Sequence, residues 1–162
     1  MRKESRIYEV YDFDELSEGA KDKAVEKFSD INVDFDWWDS IYDDAHCVGL
    51  EITGFDLYRQ ERDGKLTDSV LGSIQAIKKN HGKKTDTYKL ALQYEKLAKK
   101  HEADSDDDYD EEFIDEYRQA LLHVYFEMFQ EEYNYLTSKE AIIETIQANE
   151  YGFLKDGKFF TL

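Results

Sequence analysis

Hydrophobic residues recur along this chain mainly at the three- and four-residue spacings that place side chains on one face of a helix. The pattern predicts six helices, at about residues 17–31, 34–48, 69–81, 85–100, 110–136 and 137–149. The segment at 110–136 is apolar around a wide part of its circumference, which is typical of a helix that packs on several sides. We therefore expect it to be the long central helix of the fold.

Shorter segments are rich in tyrosine and aliphatic residues and are bounded by turn residues, which is typical of strands. They lie at residues 6–13, 50–60, 65–67, 151–154 and 158–161, with Asp63-Gly64 and Asp156-Gly157 as turn pairs. Helices with a few antiparallel strands predict an α+β fold. We expect a single domain over residues 1–162, in which several helices pack on a small antiparallel sheet and an acidic segment at about 102–110 is mobile.

Two helix starts and one helix face can be predicted in more detail. Ser17 is expected to cap the first helix, because its hydroxyl can accept from a first-turn amide. Thr137 with Glu140 matches a capping box at the start of the last helix. The helix at 85–100 has a less regular apolar stripe, formed by Tyr88, Ala91, Leu92, Glu95 and Leu97.

Residues 33–58 hold both tryptophans and the only cysteine, and a helical pattern passes there through Gly49 into a strand pattern. The helix should begin near Asp34 or Asp36, where a carboxylate can accept from first-turn amides, and stop at Gly49. Its predicted core face holds Trp38, Ile41, Tyr42 and Ala45, and its predicted outer face holds Trp37, Asp39, Asp43 and Asp44. We interpret this stretch as the join between the helical and sheet parts of the fold.

The single cysteine excludes an internal disulfide, and no apolar run approaches the ~20 residues that span a bilayer. The first residues lack the apolar core of a secretory signal. The composition nevertheless favours a folded protein, because 15% of the residues are aromatic. We expect a protein of the reducing cytoplasm.

The formal net charge of -17 is unevenly distributed along the chain. Residues 1–50 carry 14 acids and 6 bases, residues 51–100 carry 7 and 11, and residues 101–162 carry 17 and 4. Such a charge argues against direct binding of nucleic acid or an anionic membrane, and it favours a basic protein partner. The lysines of the central part are interpreted as a solvated face, with a basic nucleic-acid patch as the alternative; they are Lys78, Lys79, Lys83, Lys84, Lys89, Lys96, Lys99 and Lys100.

No motif in the chain predicts catalysis. There is no nucleophile elbow, no phosphate-cradling glycine loop and no familiar cysteine–histidine signature. His46 and Cys47 are neighbours and would point in different directions on a helix, and the other histidines stand alone, at positions 81, 101 and 123. Since carboxylates are abundant, no single pair of them is informative. We expect no enzymatic activity, no metal and no cofactor.

One calcium-binding pattern is only partly present in the sequence. Asp104, Asp106 and Asp108 match the first three ligand positions of a calcium loop. Tyr109 stands where the loop requires glycine, and Asp115 stands where it requires a bidentate glutamate. Weak and nonspecific cation binding is the interpretation that these residues support.

The distinctive feature is a tyrosine-rich folding composition combined with rows of carboxylates. Acids three or four residues apart on a helix lie ~5–6 Å from each other, so a row of them can imitate a nucleic-acid backbone. One candidate row is Asp34, Asp36, Asp39, Asp43 and Asp44; the other covers residues 106–116 with Glu127, Glu131 and Glu132. The alternative is an acidic surface that serves solubility alone.

Three stretches of the sequence carry a resemblance. They are YDFDELSEGAKDKAVEKF, DINVDFDWWDSIYDDAHCVGLEITGFDLYR and EYNYLTSKEAIIETIQANEYGFLKDGK, with the acidic segment between the last two. The chain resembles a family of small acidic proteins of unassigned function from tailed bacteriophages. The resemblance covers most of the chain and supplies no catalytic residues. It implies a phage accessory protein that acts in the host bacterial cytoplasm.

The resemblance and the charge together favour an inhibitor of host defence. Phages make acidic proteins that block restriction enzymes or CRISPR effectors by imitating nucleic acid, and such an inhibitor would bind a basic channel. The candidate partner-binding residues are Asp34, Asp36, Trp37, Asp39, Asp43, Asp44, Asp106, Asp107, Asp108, Tyr109, Asp110, Glu111 and Glu112. The alternative is a regulatory or antitoxin-like module that binds one protein through an apolar groove.

Overall fold

The computed structural model describes residues 1–104 and 109–162, and it has the predicted α+β composition. The helices in these ranges are α1 (Glu18–Lys27), α2 (Asp39–Cys47), α3 (Val70–Asn80), α4 (Asp86–Asp104), α5 (Glu111–Leu136) and α6 (Lys139–Ala148). The strands are β1 (Tyr11–Asp12), β2 (Leu50–Asp56), β3 (Glu61–Leu66) and β4 (Gly152–Phe153). The strands pair as β1 with β4 and β2 with β3, so within the described ranges they form two separate sheets instead of the one expected.

The chain divides into two compact units. One unit combines Met1–Trp37 with Glu132–Leu162, and we call it the terminal unit; the other is Trp38–Glu131, the middle unit. The long helix predicted at 110–136 is confirmed as α5, whose last five residues are counted with the terminal unit. The single domain expected over residues 1–162 stays a prediction. Across the described ranges no helix is both long and apolar enough to cross a membrane.

In the terminal unit, α1 and α6 pack around one apolar cluster. Ser17 caps α1 as predicted, since its Oγ accepts from the amide of Ala20 at 3.3 Å. The buried cluster consists of Phe13, Leu16, Ala20, Ala24, Ile142, Ile146 and Phe153. The strand predicted at 6–13 is reduced to the two residues of β1, because β4 offers only two residues for antiparallel pairing.

The start of α6 differs from the prediction by one residue. Ser138 is the cap, and its Oγ accepts from the amide of Ala141 at 3.2 Å. Thr137 instead donates its hydroxyl to the carbonyl of Tyr133 at 2.7 Å, which satisfies an acceptor in the last turn of α5. Two adjacent hydroxyl residues therefore serve two different helix ends, and the capping box expected at Thr137 is wrong.

In the middle unit, β2 and β3 form the predicted hairpin with a different turn. The turn is at residues 57–60, and Gln60 adopts a left-handed φ of 59°. Asp63-Gly64, expected as the turn, lies within β3, where Gly64 pairs with Ile52. A Cβ at Gly64 would lie 2.8 Å from the carbonyl oxygen of Glu51 and 3.0 Å from a methyl of Leu122. The glycine thus permits close packing of the strand and does not form a turn.

Helices α3 and α4 pack against each other. Ser69 caps α3, and its predicted stripe of Val70, Ile74 and Ile77 is buried. The predicted stripe of α4 is confirmed at Ala91, which is buried, and wrong at Leu92 and Leu97, which are 39% and 43% exposed. The buried positions of α4 are Thr87, Ala91, Tyr94 and Ala98. Three of these side chains are small, and the fourth, Tyr94, packs its ring against those of Phe113 and Tyr117.

Helix α5 supplies more buried residues to the middle unit than any other described helix or strand. Its buried residues are Tyr117, Leu121, Leu122, Tyr125, Phe126 and Phe129. Tyr117 also donates to or accepts from Ser73 of α3, with 2.6 Å between the two hydroxyl oxygens. Burial of these large side chains removes most of their apolar surface from water and stabilises the unit.

We expect Gly49→Ala to destabilise the protein by ~1–3 kcal/mol, because Gly49 has a left-handed φ of +84°. A Cβ there would also lie 2.9 Å from the Cβ of Asp68. Gly54→Ala is the matched control, since no atom lies within 4 Å of the added Cβ. Urea unfolding followed by circular dichroism measures both changes, and equal midpoints for the two variants would contradict this account.

Candidate interaction surface

Helix α2 begins later than predicted, at Asp39 and not near Asp34 or Asp36. The preceding residues form successive turns, in which the amide of Val33 donates to Asp30 and the amide of Trp37 donates to Phe35. These local bonds satisfy the backbone, and no helix is needed. Asp34 and Asp36 are therefore exposed turn residues of the terminal unit.

The inner face of α2 rests on aromatic rings of the middle unit. The ring of Trp38 lies edge-on to Phe55 at 5.6 Å between centroids, and Tyr42 lies 5.7 Å from Phe129. Phe55 and Phe129 stack at 4.1 Å with nearly parallel planes. Ala45 is fully buried. This face matches the prediction for Trp38, Tyr42 and Ala45, and it anchors the helix through its side chains.

Asp44 has hydrogen-bond partners within the middle unit, although its side chain is 46% exposed. Its Oδ2 accepts from the hydroxyl of the buried Tyr125 at 2.7 Å, and its Oδ1 lies 3.2 Å from Nε2 of His81. The other ring nitrogen of His81 is hydrogen-bonded to the hydroxyl of Thr87. One carboxylate thereby joins α2 to α5 and, through a histidine at the end of α3, to α4. His81 therefore does not stand alone, and the expectation that Asp44 contacts a partner stays a prediction.

A signal for this network exists in the sequence. Asp44 lies three residues after Ile41 and four before the buried Val48, so it borders the apolar stripe of α2. An acid at such a border can reach a polar group of the core, and Tyr125 is the hydroxyl that it reaches. The sequence does not reveal which tyrosine that is, because the two residues are 81 positions apart.

The two buried tyrosines of α5 titrate far above their ordinary range. Burial raises the pKa of Tyr117 to about 12, partly opposed by its hydrogen bond to Ser73. The pKa of Tyr125 is raised further, first by burial and then by its hydrogen bond to the Asp44 carboxylate. Both hydroxyls stay neutral at physiological pH and can donate, as the bond to Asp44 requires.

The outward acids of α2 reduce to Asp39 and Asp43. Both are exposed, they lie four residues apart, and neither has an ion-pair partner among residues 1–104 and 109–162. Burial raises the pKa of Tyr42, and the charge of nearby Asp39 adds to that shift. The candidate row is divided, because Asp34 and Asp36 belong to the terminal unit and Asp39 and Asp43 to the middle unit.

The second candidate row is built around the start of α5. Asp110 caps the helix, since its Oδ1 accepts from the amide of Phe113 at 2.8 Å. Glu111 and Glu112 are exposed in the first turn, where the positive end of the helix dipole favours them. Asp106, Asp107 and Asp108 lie outside the described residues. Of the segment expected to be mobile at 102–110, residues 102–104 belong to α4 and Asp110 caps α5.

Further along α5 the acids differ in their partners. Asp115 is neutralised by Arg118 at 2.6 Å, and the hydrogen bond from Arg118 holds the pKa of Asp115 below its usual range. Glu116 is exposed and four residues from Glu112, without an ion-pair partner in the described ranges. Glu127 lies 3.8 Å from His123. The acids of α5 without an ion pair in the described ranges are therefore Glu111, Glu112 and Glu116 near its start and Glu131 and Glu132 near its end.

Trp37 and Tyr109, the two aromatic residues among the candidate partner-binding residues, both contact other rings of their own unit. The ring of Trp37 is half-buried and lies 5.8 Å from that of Tyr133 in the terminal unit. Tyr109 lies 5.7 Å from the ring of His101 and 5.1 Å from that of Phe113. These contacts make both rings part of their own unit's packing.

The described residues include no group of three or more potential metal ligands.

No family model, curated protein sequence or solved structure matches this chain. Two pairs of carboxylates remain as the candidate interaction surface: Asp39 with Asp43 on α2, and Glu112 with Glu116 on α5. We call these the one-turn pairs. Each pair is fixed to a helix of the middle unit and is exposed to solvent.

We expect two of the twelve tyrosines to ionise only when the protein unfolds. The folded chain holds the Tyr117 proton to a pKa of about 12, whereas the unfolded chain releases it near 10.0. This contribution to stability is complete below pH 10 and is lost as the pH rises toward 12. Tyrosinate absorbance and circular dichroism recorded together measure this, with Tyr117→Phe removing one late-titrating group. A single transition of all tyrosines in a folded protein would contradict it.

We expect Asp44→Ala to destabilise the protein by ~1–3 kcal/mol, because the buried hydroxyl of Tyr125 loses its acceptor. Asp43→Ala is the matched control: it removes the adjacent acid, which is exposed, and should change the free energy of unfolding by less than ~0.5 kcal/mol. In an Asp44→Ala, Tyr125→Phe double variant the loss should be smaller than the sum of the single losses. Additive losses in urea unfolding would show that the two side chains are not coupled.

Proposed function

We propose that this protein inhibits a host nucleic-acid-targeting defence complex by occupying its basic channel as an acidic mimic of the nucleic-acid backbone. The observation that carries the proposal is the one-turn pairs, exposed carboxylates without base partners that lie on fixed helices. The resemblance to small acidic phage proteins supplies the setting, which is the cytoplasm of a bacterial host. The complex would be a CRISPR effector or a restriction enzyme.

The spacing of the pairs suits this role. Four residues of an α-helix advance ~6 Å along its axis. Neighbouring phosphates of one DNA strand rise ~3.4 Å along the axis and also turn around it, so they lie ~7 Å apart. Carboxylates at this spacing can thus occupy the positions of neighbouring phosphates in a channel of lysines and arginines. The inner face of α2 is anchored by the hydrogen bond of Asp44 to Tyr125 and by the contact of Trp38 with Phe55. Asp39 and Asp43 on its outer face are therefore positioned before binding. Preorganisation lowers the cost of association.

The overall charge supports the same mode of binding. A net charge of -17 attracts a basic partner from a distance and repels nucleic acid itself. Association through such a surface is fast at low salt and weakens as salt is added. Inhibition of this kind requires no catalytic residue, metal or cofactor in the inhibitor.

The proposal predicts that Asp39→Lys with Asp43→Lys weakens capture of the partner at least ~10-fold, because attraction becomes repulsion. Glu26→Lys with Glu140→Lys is the matched control: it makes the same change in net charge at exposed acids of the terminal unit. The measurement is a tagged pull-down from bacterial lysate at increasing salt, followed by binding of each variant to the purified partner.

Support requires three results together: a nucleic-acid-binding complex, elution by modest salt and displacement by its own nucleic acid. Equal binding by the two double variants would exclude the one-turn pair on α2 from the interface. A salt-resistant partner that tolerates both charge reversals would favour the regulatory or antitoxin-like module instead. Reversal of Glu112 and Glu116 tests the second pair in the same way.

A further inference from the structure

The terminal unit contains a cleft that the proposed inhibitory surface does not use. Its volume is about 600 Å³, within the ~300–1,000 Å³ range of small-molecule sites. It lies between the second half of α1 and the C-terminal turn, and its lining includes Lys23, Lys27, Lys158 and Phe159. Three lysines and one aromatic residue thus line the same space.

The three lysines that line the cleft have no carboxylate partner among the described residues, unlike Lys21 and Lys139 of the same unit. Lys21 lies 3.6 Å from Glu18, and Lys139 lies 3.1 Å from Asp22. Lys23, Lys27 and Lys158 have no ion pair within the described ranges, although the terminal unit holds sixteen acids and only nine bases. Lys23 and Lys27 also repel each other at four-residue spacing, which an anion between them would relieve.

The one acid that lines the cleft is already engaged. Asp156 accepts the amide of Lys158 through its Oδ1 at 3.1 Å, which closes the turn. The same turn is held by the amide of Gly157, which donates to Leu154 at 2.9 Å, and by the amide of Leu154, which donates to Lys158 at 2.8 Å. Asp156 therefore forms a hydrogen bond within the turn and no ion pair with a described lysine.

The two walls of the cleft are fixed against each other. Gly157 has a φ of +86° and is so close to α1 that a Cβ would lie 2.2 Å from the carbonyl oxygen of Ala20. The ring of Phe159 lies 5.1 Å from those of Phe28 and Tyr151, which hold it in place, and it is only half-buried. A site with rigid walls binds a ligand without first paying to become ordered.

We propose that this cleft binds a small phosphorylated ligand with a planar ring, of the nucleoside monophosphate type. The ammonium groups of Lys23, Lys27 and Lys158 would contact the phosphate through charge-assisted hydrogen bonds. The exposed part of the Phe159 ring would contact the planar ring, which inorganic phosphate lacks. The site is separate from the acids of the middle unit, so it stands or falls independently of the inhibitory role.

Calorimetry at fixed ionic strength tests the proposal with the four common ribonucleoside monophosphates, the uncharged nucleosides and inorganic phosphate as probes. At least one monophosphate should bind more tightly than its nucleoside and than phosphate. Lys27→Gln and Lys158→Gln should each weaken that binding about tenfold, since each removes a charged donor. Lys155→Gln, an exposed neighbour outside the cleft lining, should leave it unchanged.

Phe159→Leu distinguishes the ring contact from the phosphate contact. It should weaken the monophosphate several-fold and leave the weaker binding of inorganic phosphate unchanged, with circular dichroism confirming the fold. Amide spectra of the wild-type protein should show ligand-dependent shifts at Gly157 and Phe159. Absence of binding by every monophosphate, equal binding after Lys27→Gln and Lys158→Gln, or phosphate binding as tight as the monophosphates would each overturn the proposal.

Discussion

The hydrogen bond between Asp44 and Tyr125 is the contact on which the middle unit depends most. A buried hydroxyl without a partner is costly, so Tyr125 requires an acceptor. Asp44 supplies it and is also hydrogen-bonded to His81, whose other ring nitrogen is bonded to Thr87 on α4. The bond fixes the rotation of α2 about its axis. That rotation in turn decides which of its acids face solvent.

The charge of the molecule is organised more finely than its total suggests. On α4, Glu95 lies 2.9 Å from Lys78 and 3.8 Å from Lys99, so part of the basic stretch is neutralised locally. On α2 and at the start of α5, acids remain without bases, whereas at the C-terminal turn lysines remain without acids. The total charge of -17 therefore does not describe every part of the surface.

Local signals in the sequence predict some element ends correctly and others incorrectly. Ser17 caps α1 and Gly49 ends α2 through its own φ, as predicted, whereas the cap expected at Thr137 is Ser138 and the turn expected at Asp63-Gly64 is at residues 57–60. Long-range packing was not encoded in the same way. On α4, which packs against α3, Ala98 is buried and the larger Leu97 is exposed, which the apolar pattern alone does not predict. The partner of Asp44, Tyr125, likewise lies 81 residues away in the chain, and sequence spacing does not predict contacts over that separation.

The two units differ in how they are assembled from the chain, and this has a consequence for folding during synthesis. The middle unit is continuous, so all its residues have been made once Glu131 has been added. The terminal unit can assemble only after residues 132–162 have been made. Residues 1–37 pack with them, because β1 pairs with β4 and α1 packs with α6. Contacts of such long separation form slowly. The apolar side chains of α1 are therefore exposed on the nascent chain until the last helix is translated.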